Sequence, residues 1–302
     1  MSNLSLLLFK KGSLKHIMRY RFLRFPNGKE KALTLSYDDG VVSDTHLIEI
    51  ADKYGIKVTL NINSDWMGNP GRLSADTLKN MAASGGHEIA VHGARHIANG
   101  NVSAVDGIRD VLECRQRLEN AFDTIIRGMA YPDCGITASA NNSDYQKVRE
   151  YLADLGIVYS RSLNGDNDLF RLPTDWYNWI PTAHHENGKI MNYIDKFNKD
   201  YEANHSYIAS RSPLLFYMWG HSFEFEKNNN WDRLEAICEK LGNQPDVWYA
   251  TNIQIYDYVT AYNSLIFSAD GYKVYNPTLQ KIWFEVDTKP YVIDSGETIK
   301  LD

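Results

Sequence analysis

With 302 residues, 43% of them hydrophobic and 23% charged, the chain is long enough for one large α/β domain, or for one such domain with a small appendage. Its 32 Lys and Arg stand against 38 Asp and Glu, and the formal net charge of -6 argues against a nucleic-acid partner. No run of about 20 apolar residues is present, so no membrane-spanning helix is expected.

The N-terminal stretch KKGSLKHIMRYRFLRF reads as a solvated basic arm, residues 1–29. The apolar run LSLLLF before it is short and followed by lysines, unlike a secretion signal, which points to a cytoplasmic protein. Cys114, Cys134 and Cys238 lie far apart with no CxxC spacing, as expected of reduced thiols and not of a zinc ribbon or a disulfide framework.

From residue 30 onward, short β-type runs alternate with helical patterns, the signature of a largely parallel α/β architecture. LTLSY is the first strand. Leu47, Ile50, Ala51 and Tyr54 then fall on one helical face, and Gly55 stops that helix. VTLNIN follows as a strand, then a helix over about 74–83 ending at Gly85-Gly86, then HEIAVHG as the third strand. A longer helix over about 103–122 leads to GMAYP. Ser143 with Gln146 makes a capping box for a helix striped by Val148, Tyr151, Leu152 and Leu155, and IVYS comes next. Residues 161–189, rich in Asn, Trp and His, show no clear period. A helix over about 190–203, the strand PLLFYMWGH, a helix with Leu234, Ile237, Cys238 and Leu241 in register, the strand VWYAT and a helix to about Tyr262 complete the pattern. The last forty residues change character: LIFSADGYKVYN, KIWFEV and PYVID alternate as antiparallel strands and form a small C-terminal β appendage, residues 263–302.

Seven β runs precede the appendage, and polar residues sit just after them: Asp38-Asp39, Asn63-Ser64, His92 to His96, Tyr131 to Cys134, Ser160-Arg161, His221 and Thr251-Asn252. Loops after successive strands converge at the C-terminal mouth of a (β/α) barrel, so residues scattered along the sequence would meet there. An irregular (β/α) barrel of seven or eight strands over residues 30–262 is the expected fold, with an open doubly wound sheet as the alternative.

HGARH places His92 and His96 four apart, a spacing that lets two imidazoles share a face of a helical turn and reach one metal ion. Two histidines with one carboxylate are a common ligand set for a hydrolytic zinc or a related divalent cation. The pair Asp38-Asp39 in SYDDG supplies two carboxylates where a plain Asp-Gly turn needs one. A hydrolytic metal site uses one carboxylate as ligand and another as the base that takes a proton from water, and a cation relieves their repulsion. His221, at the end of an apolar strand, suits the protonation of a leaving group, and Asp175 in TDW is a candidate carboxylate neighbour for it. His184 and His185 can bind a second metal, although a loop histidine pair reads more simply as surface.

These residues resemble the polysaccharide deacetylases of the NodB-homology type, carbohydrate esterase family 4, over residues 30 to 262. SYDDG, HGARH, AYPDCG, TDW and WGH stand in the order of that family's five motifs. The resemblance implies Asp38 as general base, Asp39, His92 and His96 as metal ligands, and His221 as general acid. It implies a backbone N–H near Tyr131 and Pro132 at the oxyanion, and one divalent cation, zinc foremost, with cobalt, nickel or manganese as alternatives. The implied substrate is an acetylated carbohydrate, with Trp66, Trp176, Trp179 and Trp219 available to stack on sugar rings. Removal of N-acetyl groups is the leading reading; O-acetyl esterase action on xylan-like material and a binding protein that has lost turnover are the alternatives. The subunit number is left open. One departure matters: the family's third motif usually has an Arg that orients the catalytic Asp, and here Ala130 takes that place, leaving Arg127 or Arg161 to replace it.

Overall fold

In the computed structural model, which describes residues 19–133, 136, 145–163, 166–204 and 211–302 with backbone alone at 200–204, LTLSY lies within a strand, Lys31–Asp38 (β2), buried along its whole length. Successive side chains of a strand alternate between faces. Leu33, Leu35 and Tyr37 accordingly join an apolar cluster with Leu47 and Ile50. Thr34, Ser36 and Asp38 lie between them in sequence and are buried with polar partners.

Val58–Ile62 (β3) repeats the arrangement, with Val58, Leu60 and Ile62 in the apolar cluster and Thr59 and Asn61 in hydrogen bonds. Glu88–Val91 (β4), Gly128–Ala130 (β5) and Tyr159–Arg161 (β6) continue the parallel sheet away from β2. On the other edge of β2, Leu214–Gly220 (β8) pairs in parallel from Lys31 to Tyr37. The preceding connection holds a two-residue strand, Ala183–His184 (β7), parallel to β8. Two residues carry no legible period, which is why residues 161–189 gave no strand in the sequence.

The segment leading into β7 also closes the sheet. Trp179 donates its N–H to the carbonyl of Ser160 at 3.1 Å and accepts from the N–H of Ser162 at 3.0 Å, while Thr182 donates to Tyr217 at 2.7 Å. One irregular stretch thus pairs with β6 at its start and with β8 at its end. The result is a curled parallel sheet of the irregular (β/α) barrel type, as the alternating pattern indicates.

The helices are Asp44–Lys53 (α1), Ala75–Gly85 (α2), Ala104–Phe122 (α3), Tyr145–Asp154 (α4), Ile190–Asn204 (α5), Ser222–Asn228 (α6), Trp231–Leu241 (α7) and Asn252–Asn263 (α8). Ser74 and Ser103 cap α2 and α3 by accepting the N–H groups of Thr77 and Asp106. The expected cap Ser143 and Cys134 lie outside the described residues; Cys114 and Cys238 are buried free thiols.

One expectation changes at Val247–Tyr249 (β9). It pairs only with Lys31–Leu33, the first half of β2, because β3 takes the same edge from Leu35 onward. The residues after β9 therefore enter the barrel at mid-height. Asn252 is fully buried and bonds Thr34, Thr59 and Tyr217, so Thr251-Asn252 belongs to the barrel interior and not to the mouth.

Two compact units divide the chain. Lys31–Tyr201 with Leu214–Tyr256 makes the barrel unit. The other unit includes Asp257–Asp302 and the described residues up to Glu30. It contains the antiparallel pairings expected at the C terminus: Ile266–Phe267 (β10), Lys273–Tyr275 (β11) and Thr298–Lys300 (β14) in one sheet, Ile282–Val286 (β12) and Lys289–Ile293 (β13) in another. Arg21–Arg24 (β1), read above as part of a solvated arm, pairs antiparallel with β12. Its Leu23 is buried and its Arg24 bonds Glu285 at 2.9 Å, a long-range pairing that local composition does not announce. Val274, Ile282, Phe284, Val286 and Ile293 form that unit's core. Among the described residues no helix is long and apolar enough to cross a membrane.

Candidate active site

Asp38 ends β2, and Asp39 follows it with φ 80, a left-handed backbone that swings its carboxylate away from that of Asp38. Gly40 continues the turn at φ 61, where an added Cβ would meet Ile62 Cδ1 at 2.9 Å. The spacing in HGARH was expected to act through a helical turn, but the residues after β4 form an irregular loop instead. Positive φ at Gly93 (73) and His96 (59) folds this loop back so that both imidazoles reach Asp39. His92 Nε2 lies 3.7 Å and His96 Nε2 3.6 Å from Asp39 Oδ1.

Among the described residues that buried oxygen has no hydrogen-bond partner, while Arg72 holds the rest of the residue, donating to the Asp39 carbonyl at 2.8 Å and lying 3.7 Å from Oδ2. His92 Nδ1 donates to the carbonyl of Ala130 at 2.9 Å, which fixes the tautomer with a lone pair on Nε2. Donors about 2.1 Å from a tetrahedral zinc are separated by about 3.4 Å. The spacings, the free oxygen and the tautomer fit a divalent cation held by Asp39, His92 and His96.

Asp38 is 2% exposed and its carboxylate is held from two sides. Asn61 Nδ2 donates to Oδ1 at 2.8 Å, and Arg161 Nη2 donates to Oδ2 at 2.5 Å. Ala130 and Arg161 are register partners on β5 and β6. The guanidinium absent from β5 is therefore supplied by the next strand at the same height. Arg127 stands before Gly128, at the other end of β5 from Ala130. Burial alone would raise the Asp38 pKa, but Arg161 first, then His92, His221 and the Asn61 bond, hold it below the usual carboxylate range. Trp219 packs its ring against the Arg161 guanidinium at 4.3 Å.

His221 follows β8 at the start of α6, its Nε2 3.9 Å from Asp38 Oδ2. The carboxylate beside its other nitrogen is Glu224, whose Oε1 lies 3.4 Å from Nδ1 and whose Oε2 accepts the His221 N–H at 3.2 Å. This corrects the expectation for Asp175, which instead accepts the N–H of Tyr177 at 3.0 Å and the hydroxyl of Tyr145. HSFE, with an acidic residue at the third helical position, was the local signal for Glu224. Burial would lower the His221 pKa; the Glu224 contact, then Asp38 and Asp39, raise it above the ordinary value.

Glu224→Gln removes that charge, so the His221 pKa falls. The alkaline limb of kcat/KM, which declines as pH rises through it, is expected to move down by about one pH unit. Asp175→Asn leaves the limb in place. A limb that stays fixed in Glu224→Gln removes Glu224 from this role.

Two further expectations are corrected. The N–H of Tyr131 already donates to the Arg161 carbonyl at 3.1 Å, and Pro132 has no N–H, so neither can hold an oxyanion. The next backbone N–H in the chain belongs to Asp133 (φ 48), which borders the site. Trp176 packs on Trp179 and Tyr256 away from the site, whereas Trp219 lines it. Trp66, stacked on His96 at 5.3 Å under Arg72, is the other aromatic brought near.

Asp38, His92, His96, Tyr131, Asp133, Leu163, Trp219 and His221 enclose a cavity of about 120 Å³. A larger cavity at the opposite end of β4, beside His87 and Glu88, holds no comparable constellation: the Glu88 carboxylate is occupied by Tyr159, Thr59 and the Ile253 N–H.

Residues 25–157 match the family model described as polysaccharide deacetylase. The chain carries a polysaccharide deacetylase domain. The matched family consists of carbohydrate esterases and deacetylases, which are hydrolases. No curated protein matches the chain. Among solved structures, a Mycobacterium smegmatis protein described as a candidate polysaccharide deacetylase is 14% identical, covering 82% of this chain and 96% of its own with a TM-score of 0.55. The Xyl-CE4 domain of a multidomain xylanase from the hindgut metagenome of Trinervitermes trinervoides is 17% identical over 77% of this chain and 92% of its own, TM-score 0.50. At these identities the likeness shows the fold. The Streptococcus pyogenes deacetylase PplD, in complex with acetate, is 18% identical with a TM-score of 0.39, and the chain spans about half of it, 55%. All the residues of the candidate site fall in the barrel unit.

Proposed function

We propose that the protein hydrolyses acetyl groups from N-acetylated sugars or oligosaccharides with one divalent cation, zinc foremost, bound by Asp39, His92 and His96. The observation that carries this reading is the free Oδ1 of Asp39 facing two imidazoles, next to a second carboxylate held by an arginine. The cation supplies a Lewis acid that lowers the pKa of water and polarises the acetyl carbonyl.

The chain does the proton work. Asp38, ionised because Arg161 and Asn61 hold it so, takes a proton from the attacking water. Arg161 and Asn61 also fix the direction of its lone pairs. His221, protonated at Nε2 and backed by Glu224, gives a proton to the departing sugar amine. The N–H of Asp133 is the donor we assign to the developing oxyanion. Leu163 and Trp219 bound the small cavity around the acetyl methyl and keep bulk water out.

The same residues would serve an O-acetyl esterase. Arg161 supports turnover over mere binding, since it supplies the guanidinium that the third motif lacks.

Acetate release from N- and O-acetylated sugars, before and after chelation, tests the reading. Activity that disappears on chelation and returns with zinc or cobalt is the expected outcome. No release from any acetylated sugar by the metal-loaded protein would sink it.

A further inference from the structure

Beside the site just described, three imidazoles surround one carboxylate. His184 Nε2 and His185 Nε2 lie 3.1 and 3.2 Å from Glu224 Oε2, and His221 Nδ1 lies 3.4 Å from Oε1. Donor atoms of His184, His221 and Glu224 all fall within 4.8 Å of one another. His185 is fully buried, and among the described residues neither of its nitrogens, nor Nδ1 of His221, makes a well-formed hydrogen bond. Buried imidazole nitrogens are ordinarily paired. Here they converge on an anion.

We propose that Glu224, His184 and Nδ1 of His221, with His185 beside them, form a second divalent-cation site, filled after the first and switching off proton delivery by His221. The donor set, two imidazoles and a carboxylate, suits zinc, cobalt or nickel. The His184 and His221 nitrogens lie 3.1 and 3.4 Å from oxygens of Glu224, near the roughly 3.4 Å donor separation of a tetrahedral shell. His184, His221 and Glu224 are each about one-fifth exposed, so a cation can enter from solvent.

The order of filling follows from the tautomers. His92 already presents a free Nε2, because its Nδ1 donates to Ala130. His184 Nδ1 instead accepts the N–H of Glu186 at 3.1 Å, which puts the neutral ring's proton on Nε2. A cation at Nε2 must move that proton and break that bond. The loss of one such bond weakens the second site about 5-fold relative to a site without this cost.

The consequence lies in His221, which links the two sites through its two nitrogens. A cation on Nδ1 occupies the lone pair that a second proton would need. The ring then keeps one proton, on Nε2, cannot become an imidazolium, and is a far weaker acid. This consequence, unlike the binding itself, rests on the deacetylase reading.

The metal-stripped full chain is titrated with Co2+, followed by visible absorption and by metal content after gel filtration. The wild type is expected to take up two equivalents, the second about 5-fold more weakly. His184→Ala should take up one, and His96→Ala should still take up one at the weaker site. His184→Gln, with circular dichroism as the check on folding, stands in should the alanine variant not fold. Saturation of the wild type at one equivalent, or two equivalents in a folded His184 variant, overturns the site.

In the activity arm, a second equivalent of Zn2+ is expected to slow N-acetyl release about 10²-fold while leaving hydrolysis of 4-nitrophenyl acetate, whose leaving group needs no proton, within about twofold. The His184 variant should lose this slowing. A second equivalent that binds without slowing N-acetyl release overturns the role given to His221. Absence of acetate release at one equivalent instead sinks the deacetylase reading, and the titration still decides the site.

Discussion

Asp38→Asn is expected to lower acetate release by about 10²–10⁴-fold while leaving metal content unchanged. Asparagine keeps the shape of the side chain and can still accept from Arg161, but it cannot take a proton. The proposed ligands Asp39, His92 and His96 are untouched, so the cation stays. Single-turnover acetate release with metal analysis on the same sample separates the two effects. A variant with wild-type turnover removes Asp38 as the base; one that is inactive because its metal is gone reassigns Asp38 as a ligand.

Arg161→Leu should cost both stability and activity. It leaves a carboxylate that is 2% exposed without its cation, and breaking a buried pair in this way costs about 3–5 kcal/mol. The dependence on pH changes sign. In the wild type the folded Asp38 pKa lies below its ordinary value, so its contribution is present above that value and is lost as pH falls through the folded pKa. Without Arg161, burial becomes the dominant influence and raises the pKa, so the variant gains stability as pH falls through the raised value. Urea unfolding at several pH values distinguishes the two slopes, and the acid limb of kcat/KM should rise with the same shift. Because Ala130 and Arg161 are register partners, Ala130→Arg with Arg161→Ala is expected to recover part of both losses. A lysine at 161 should not, since it lacks the planar fork. Equal stability of Arg161→Leu and wild type at all pH values would show that the pair does not hold Asp38.

Much of the site could be read from sequence because its key groups sit in short contiguous stretches at strand ends. Asp38 ends an eight-residue buried strand and Asp39 follows it, His92 follows β4 and His221 follows β8, and strand order brings such ends together in any parallel barrel. Two assignments failed, one local and one across the sheet. Asp175 was chosen for its place in a motif, while the carboxylate beside His221 stands one helical turn further along the same chain. Tyr131 and Pro132 were chosen as oxyanion donors, but whether an N–H is free depends on the ladder with β6.

The sequence alone determined the alternating barrel, the adjacent carboxylates, the histidine pair and the strand-end histidine, because period and spacing are local properties of the chain. Only the tertiary structure decided that Arg161 replaces the missing arginine, that Arg72 leaves one Asp39 oxygen free, and that three imidazoles meet at Glu224. The physical reason is the same in each case. Hydrogen-bond and ion-pair partners are selected by register and burial between strands far apart in the chain: Arg161 lies 123 residues from Asp38, and composition near either residue does not encode that they will face each other.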